Sequence, residues 1–469
     1  MADGRRQIWT VDGRRQLKRT IFAAALTCAA FAPLSAQKPA VKAPEKISTA
    51  AIGLTRDATL AAALAEISPS RIRQTDSALV SFGTRNTMSD TTSESRGIGA
   101  ARRYLYRELR AYSRDCSGCL HVEYDPAMIV NARHPQKVTM NVVNVLAWLP
   151  GRDTTRVIVM GGHYDSCICK TNTNDSTSTA PGADDDGSGT SAVLELARVM
   201  SKRYPKGLDA TIVFALYAAE EQGTLGSAHL AQRLKDSGLT VVAGLTDDIV
   251  GNVVAENGKT DSTSVRIYAV DSVPSLSGEL ARYVWGLGAV YLPKFEVRPT
   301  FRLDRLGRSG DHGPFQRAGA PALRFTERLE NYKRQHLPTD EFSFVNFGYT
   351  ANIARLNLAT VASLAAAPMP PDSARQVRDT LSGGQDWDLK WPAVQGAVSY
   401  EVLVRSTIQP TYVRVIPVQG TSFLLDEELD DAIAAVRSVG ADGSRSLTRV
   451  FQQPPRRPAG ATTTPPSTH

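Results

Sequence analysis

Apolar residues follow two rhythms along this chain. Residues 71–82 and 97–112 predict helices, the second with apolar residues three and four apart, as one face of a helix requires. Residues 120–124 and 138–149 predict strands. The second alternates through Val142, Val143, Val145, Leu146 and Trp148 and stops at the turn Pro150-Gly151. From Thr155 onward short buried runs (157–160, 212–217, 265–270) alternate with helical stretches (275–287, 349–366). That alternation predicts an α/β domain: a mixed, mainly parallel central sheet covered by helices on both faces. After the Pro-rich stretch 367–371 (APMPP) the rhythm changes to period two, in 388–391, 396–404 and 434–439, which predicts a small all-β module.

These shifts divide the 469 residues into a signal peptide at 1–36, a flexible leader at 37–46, an α/β domain at 47–367, a linker at 368–384, a β-sandwich at 385–453 and a disordered tail at 454–469. The hydrophobic fraction of 42% and charged fraction of 22% are those of an ordinary soluble chain. Of the net charge of +7, residues 1–36 supply +4, from six basic and two acidic side chains, and the remaining +3 is spread thinly. A nucleic-acid partner is therefore not expected. The basic stretch ending at Arg19, the apolar 21–33 and the following LSAQ have the layout of a secretory signal cleaved after Ala36. Arg14-Arg15 points to the twin-arginine route, and the apolar run is too short for a stable membrane span. The expected location is secreted or periplasmic.

Cys116, Cys119, Cys167 and Cys169 remain after cleavage. An even number in an exported chain predicts disulfides, with three connectivities, of which local pairing of Cys116 with Cys119 is favoured. The CxC spacing of Cys167 and Cys169 fits a structural zinc site poorly.

The chemistry concentrates between 161 and 226, where three clusters of hard ligands sit at predicted strand ends or helix starts. His163 and Asp165 follow 157–160, Asp184-Asp185-Asp186 precede a helix marked by Val193, Leu194, Leu196, Ala197 and Met200, and Glu220-Glu221 follow 212–217. One acidic pair is usually a solvated surface. Three clusters at successive strand ends, one with a histidine, make a metal centre the better reading, because open α/β sheets gather ligands at strand C-termini. His121 and His229 read as surface or structural histidines.

GGHYDS, PGADDDGSG and YAAEEQG closely resemble the motifs of the co-catalytic zinc aminopeptidases of the bacterial leucyl aminopeptidase type. That superfamily also holds glutaminyl cyclases and the non-enzymatic transferrin receptor ectodomain. The resemblance covers about 47–367 and implies a zinc exopeptidase-like fold with two zinc ions per chain. It implies His163 on one ion, His336 on the other, Asp185 bridging them, and Glu221 and Asp248 completing one carboxylate for each. It makes Glu220 the general base and Asp165 the carboxylate that orients His163, and it brings a cis peptide after Asp185. The implied partners are peptides or proteins with a free N-terminus.

One departure stands out. Gln335 occupies the place before the last histidine where related enzymes often carry a Tyr, leaving Tyr332 or Arg334 to stabilise the oxyanion. Asp311 and His312 are further substrate-side candidates, and His312 is a rival for the final ligand. Trp391, Tyr400 and the closing ADGSRS resemble a fibronectin type III sandwich, expected to bind a surface, a polysaccharide or a protein. The alternatives are a glutaminyl cyclase-like single-zinc enzyme, a carboxypeptidase or dipeptidase of the same superfamily, and a non-catalytic receptor-like domain.

Overall fold

The computed structural model describes residues 52–270, 275–302, 309–378, 386–426 and 429–453. The signal, leader and tail expected at the two ends lie outside the described residues. The first part of the chain supplies helices α1 (Ala58–Ala65), α2 (Pro69–Ser81) and α3 (Gly97–Asp115), then strands β1 (His121–Val130), β2 (Thr139–Leu149) and β3 (Asp153–His163). The short α4 (Cys169–Asn172) and the long α5 (Gly189–Arg203) follow, then β4 (Ala210–Tyr217), α6 (Leu225–Asp236), β5 (Thr240–Asp247) and β6 (Ser264–Tyr268). Next come α7 (Leu276–Tyr291), β7 (Glu296–Thr300), α8 (His312–Arg317), β8 (Ala322–Glu327) and α9 (Phe347–Ala366).

β1 to β8 form one eight-stranded sheet in the order β1-β2-β4-β3-β5-β8-β6-β7. β4, β3, β5 and β8 run parallel in its middle, with antiparallel pairings at β1–β2, β2–β4 and β6–β8. The parallel middle is buried on both faces, so β4 reads as an unbroken apolar ATIVFALY and every residue of it is buried. On one face α2, α3, α5, α7 and α9 pack over the sheet in a continuous core, and on the other α6 and α8 cover Val157, Val159, Val213 and Tyr217. This is the mixed, helix-covered sheet that the pattern predicts. α1 was not foreseen, although Asp57 caps it by accepting the amide of Leu60 at 2.6 Å.

The C-terminal module contains β9 (Arg375–Arg378), β10 (Trp387–Lys390), β11 (Ala397–Ser406), β12 (Arg414–Val418), β13 (Ser422–Leu425), β14 (Ala432–Gly440) and β15 (Arg449–Val450). They form two antiparallel sheets, β13-β10-β9 and β12-β11-β14-β15. Trp391 packs edge-on against Tyr400 and Phe451, with ring centroids 5.5 and 5.8 Å apart, in the core of the module. The linker boundary needs correction. β9 lies inside the predicted 368–384 and already pairs with β10, so the module begins before 385. Glu279 and Arg282 on α7 bond to Tyr412, Thr448 and the carbonyl of Pro410, and Arg437 donates to the carbonyl of Ile52. No helix among the described residues is long and apolar enough to cross a membrane.

Candidate metal centre

The five expected ligands lie at or beyond the C-terminal ends of β3, β4, β5 and β8 and in the turn before α5, where this topology gathers them. The turn 183–188 shows how three consecutive aspartates come to do different work. Asp186 Oδ1 accepts from the amides of Gly189 and Ile249, at 2.8 and 3.3 Å, and its Oδ2 accepts from the amide of His163 at 3.1 Å. Asp184 Oδ1 accepts from the amide of Gly251 at 2.8 Å. Both flanking carboxylates are engaged elsewhere, Asp186 by amides and Asp184 by an amide and the Ser188 hydroxyl, and that of Asp185 turns toward the imidazoles. Asp340, which the sequence reading missed, fixes that turn by accepting the amides of Asp184 and Asp185, each at 3.0 Å. The peptide between Asp185 and Asp186 is cis, as the resemblance implies.

Asp185 stands between two clusters. His163 Nε2 lies 3.3 Å from Asp185 Oδ1 and 3.8 Å from Asp248 Oδ1. On the other side His336 Nε2 lies 3.0 Å from Asp185 Oδ2 and 3.3 Å from Glu221 Oε2. Burial works against charge on Asp185, yet the two imidazoles hold its carboxyl well below the ordinary range. Burial likewise opposes charge on His163, but Asp165, Asp185 and Asp248 outweigh it and raise its pKa well above the usual value. Glu221, with help from Asp185, lifts His336 to about 10 against the effect of burial. These groups act as one another's counter-charges, and the ligands would have to be deprotonated for a dication to bind among them.

The donor set fits zinc. Oxygen and imidazole nitrogen are its ligands, and bonds of about 2.0–2.2 Å span gaps of this size. His163 Nε2, Asp185 Oδ2 and Glu221 Oε1 are buried and make no hydrogen bond. In a folded interior such atoms are satisfied by something, and metal cations are the groups that would satisfy acceptors of this kind. Cys167 Sγ also lies near Glu221 and His336, but it is paired with Cys169 and offers no thiolate. Cys116 and Cys119 are paired as expected.

Support for the ligands differs in detail from the expectation. His163 Nδ1 is nearer the carbonyl of Asp165, at 3.2 Å, than its carboxylate, at 3.6 Å. A proton shared with that carbonyl leaves Nε2 with its lone pair toward Asp185. The Asp165 carboxylate instead caps the next ligand turn, accepting from the amides of Glu220 and Glu221 at 3.2 and 3.3 Å and from Thr87 Oγ1 at 3.3 Å. Three non-glycine residues at these turns, Ala219, Ile249 and His336, hold left-handed φ values of 60°, 62° and 59°. Such conformations cost of order 1–3 kcal/mol each and persist where surrounding bonds over-determine them. Ile249, for which the conformation is least favourable, is held through its amide by Asp186 and through its carbonyl by the amide of Glu327 at 2.8 Å.

Asp185, Glu220, Glu221, Asp248 and His336 line one pocket of about 510 Å³, together with Tyr332 and Gln335. Glu220 keeps part of its surface at that pocket, while burial pushes its carboxyl up to about 8, against the charge of His163. Gln335 is buried, and its Nε2 has no hydrogen-bond partner. Arg324, missed from sequence, pairs with Asp248 at 3.0 Å, and it and His163 hold that carboxyl below its ordinary value against the effect of burial. Of the substrate-side candidates, Tyr332 alone is among the residues that line this pocket. The guanidinium of Arg334 sits over the Phe344 ring, 3.4 Å from its centroid, and does not line the pocket. Asp311 accepts from Ser227 Oγ, and His312 opens α8, so neither joins a ligand cluster and His312 does not displace His336. His229 bonds Asp125 at 3.1 Å, a structural role. A larger cavity of about 640 Å³, near Arg152, Pro368 and Gly440, contains none of these ligands.

Sheet topology, ligand set and orphaned donors together define a metallopeptidase domain with a zinc exopeptidase-like fold. The model of peptidase family M28 matches residues 144–361. The chain is 36% identical over 437 residues to a probable zinc metalloprotease of Pyrenophora teres f. teres, covering 86% of this chain and 89% of that one. It is 38% identical over 431 residues to a probable zinc metalloprotease of Leptosphaeria maculans, covering 84% and 98%. The chain belongs to peptidase family M28 and is a zinc metallopeptidase. Among solved structures the LapA aminopeptidase of Legionella pneumophila is similar in fold, with 22% identity, a TM-score of 0.51, and 66% of this chain and 74% of that chain covered.

Proposed function

We propose that the protein is an exported aminopeptidase that binds two zinc ions and hydrolyses the N-terminal peptide bond of peptides or proteins with a free amine. The observation that carries this is Asp185, whose two oxygens each face a different imidazole at 3.3 and 3.0 Å. A carboxylate so placed is suited to bridge a pair of ions, and Asp248 and Glu221 add one carboxylate to each side. Zinc in this setting supplies Lewis acidity toward a carbonyl and toward water at neutral pH.

The protein's own groups do the rest. Glu220 borders the pocket beside the ligand Glu221, where it takes a proton from the attacking water and returns it to the leaving amine. A carboxyl tuned upward by burial suits that exchange better than an ordinary one. Gln335 Nε2 is a buried donor with no partner in the lining of the same pocket, and we assign it the oxyanion-stabilising work expected of Tyr332 or Arg334. The C-terminal module, with seven strands in two sheets, is read as a fibronectin type III-like sandwich.

Aminoacyl-nitroanilides and short peptides test the reading. Free-amine substrates should be cleaved and their N-acetylated counterparts left intact, and Glu220→Gln should remove the activity with zinc retained. Cleavage of the acetylated peptides, or none of any free-amine substrate, rejects it. Cyclisation of N-terminal glutamine by an enzyme carrying one zinc supports the cyclase alternative.

A further inference from the structure

The Cys167–Cys169 disulfide lies against the metal centre, and nothing above assigns it a role. Cys167 is buried, and its Sγ, one Glu221 carboxylate oxygen and a His336 ring nitrogen all lie within 4.8 Å of one another. A zinc ion with bonds of about 2.3 Å to sulfur and about 2.0–2.2 Å to nitrogen and oxygen fits among atoms that close. Cys169 Sγ is 3.5 Å from Glu221 Oε2, yet as a disulfide sulfur it has no proton to donate. The same short segment is tied to the ligand loop, because the amide of Lys170 donates to the carbonyl of His336 at 3.4 Å and its ammonium to the carbonyl of Tyr332.

We propose that Cys167 is a masked zinc ligand: the disulfide keeps its sulfur off the ion held by Glu221 and His336, and reduction releases it to bind there and shut the enzyme down. This rests on the metallopeptidase reading above. The reductant is a dithiol or a phosphine. A dithiol passes two electrons and its two thiol protons to the S–S bond and leaves as a disulfide, whereas a phosphine passes two electrons, takes the oxygen of one water molecule whose two protons go to the sulfurs, and leaves as phosphine oxide; either way Cys167 and Cys169 become thiols. The Cys167 S–H bond then breaks, its proton passes to solvent, and the thiolate bonds the cation. Thiolates outrank carboxylates and water as ligands for a borderline-soft ion, and metal coordination is what drives a thiol to ionise at neutral pH. Catalysis needs one coordination position left open, and this sulfur fills it. Reoxidation restores the open position, so the control is reversible.

The test uses the full-length enzyme loaded with cobalt(II) in place of zinc, treated with a water-soluble phosphine. Reduction should bring in a near-ultraviolet thiolate-to-cobalt absorption band. Activity should fall about tenfold or more as the open position closes, with the metal content unchanged. Cys169→Ser should show the band without reductant, and Cys167→Ser should never show it. Cys116→Ser/Cys119→Ser should respond as the wild type does, which assigns the effect to the right disulfide. Cobalt that binds but gives no band on reduction overturns this inference alone, as does activity lost only together with metal. Failure of cobalt to bind at all overturns the metal site, and the inference with it.

Discussion

At the junction between α7 and the C-terminal module, Glu279 is 3% exposed, and both oxygens of its carboxylate accept hydrogen bonds. Arg282 reaches Oε1 at 3.0 Å, while Tyr412 at 2.9 Å and Thr448 both donate to Oε2. At the metal centre Asp185 and Glu221 are buried almost as deeply, and each keeps an oxygen that accepts nothing. The two regions carry the same chemical group at similar depth. One is saturated by the protein and fastens two parts of the fold. The other is left unsaturated beside two imidazoles whose nitrogens face it. A buried carboxylate pairs with something because desolvation is too costly otherwise, so unspent lone pairs that converge distinguish a ligand from a strut. Asp76 shows why convergence matters. Both its oxygens lack hydrogen-bond partners, but it joins neither ligand cluster, and burial, with Asp340 and Asp184 close by, pushes its carboxyl well above the usual range against the charge of Arg85.

Substitutions that exchange the two situations break or sharpen this contrast. The largest effect belongs to Asp185→Ala, which removes the shared carboxylate. Metal analysis should show loss of bound zinc and assay should show no activity, as for wild type stripped by a chelator, with activity returning to wild type alone on adding zinc. Next is Glu220→Gln, which leaves every expected ligand in place. Its kcat should fall by about 10²–10⁴-fold, the usual contribution of a positioned general base, with zinc content unchanged. Glu279→Ala strips the strut of its charge and leaves Arg282 buried beside the hole. Denaturant unfolding should show a loss of about 3–5 kcal/mol, as for breaking a buried pair from one side, while kcat of the folded fraction stays near wild type. Gln335→Leu should lower kcat by about 10²–10³-fold with KM little changed. Smallest is Asp165→Asn, which weakens the cap on the Glu220–Glu221 turn. A cost of about 10–100-fold in zinc affinity or activity is expected for such an outer partner, measured by competition with a chelator.

The contrast also explains what could be read from the chain itself. Strand ends carrying His163, Glu220-Glu221 and Asp248 were legible because a fully buried strand leaves an apolar run that stops abruptly at hard ligands. Selecting Asp185 from three aspartates came from resemblance, since the physical reason lies in amides from β3, α5 and the turn after β5 that claim Asp186 and Asp184. Asp340 and Arg324 stayed hidden because their partners lie 156 and 76 residues away in sequence, with no local pattern to mark them. Gln335 was noticed only as a missing tyrosine, and its unpartnered amide became visible once the loop was folded. β9 escaped because RQVR shows no apolar alternation, and its exposure along most of its length shows why none was needed. The fastening of the module through Glu279 was equally silent, since one Glu in a helical stretch reads as solvated surface.

Anomalous diffraction at the zinc absorption edge, on crystals of the purified protein, tests the central claim most directly. Two peaks should flank Asp185, one within bonding distance of His163 and Asp248 and the other within bonding distance of Glu221 and His336. A single peak, or peaks that leave Asp185 touching neither ion, would contradict it.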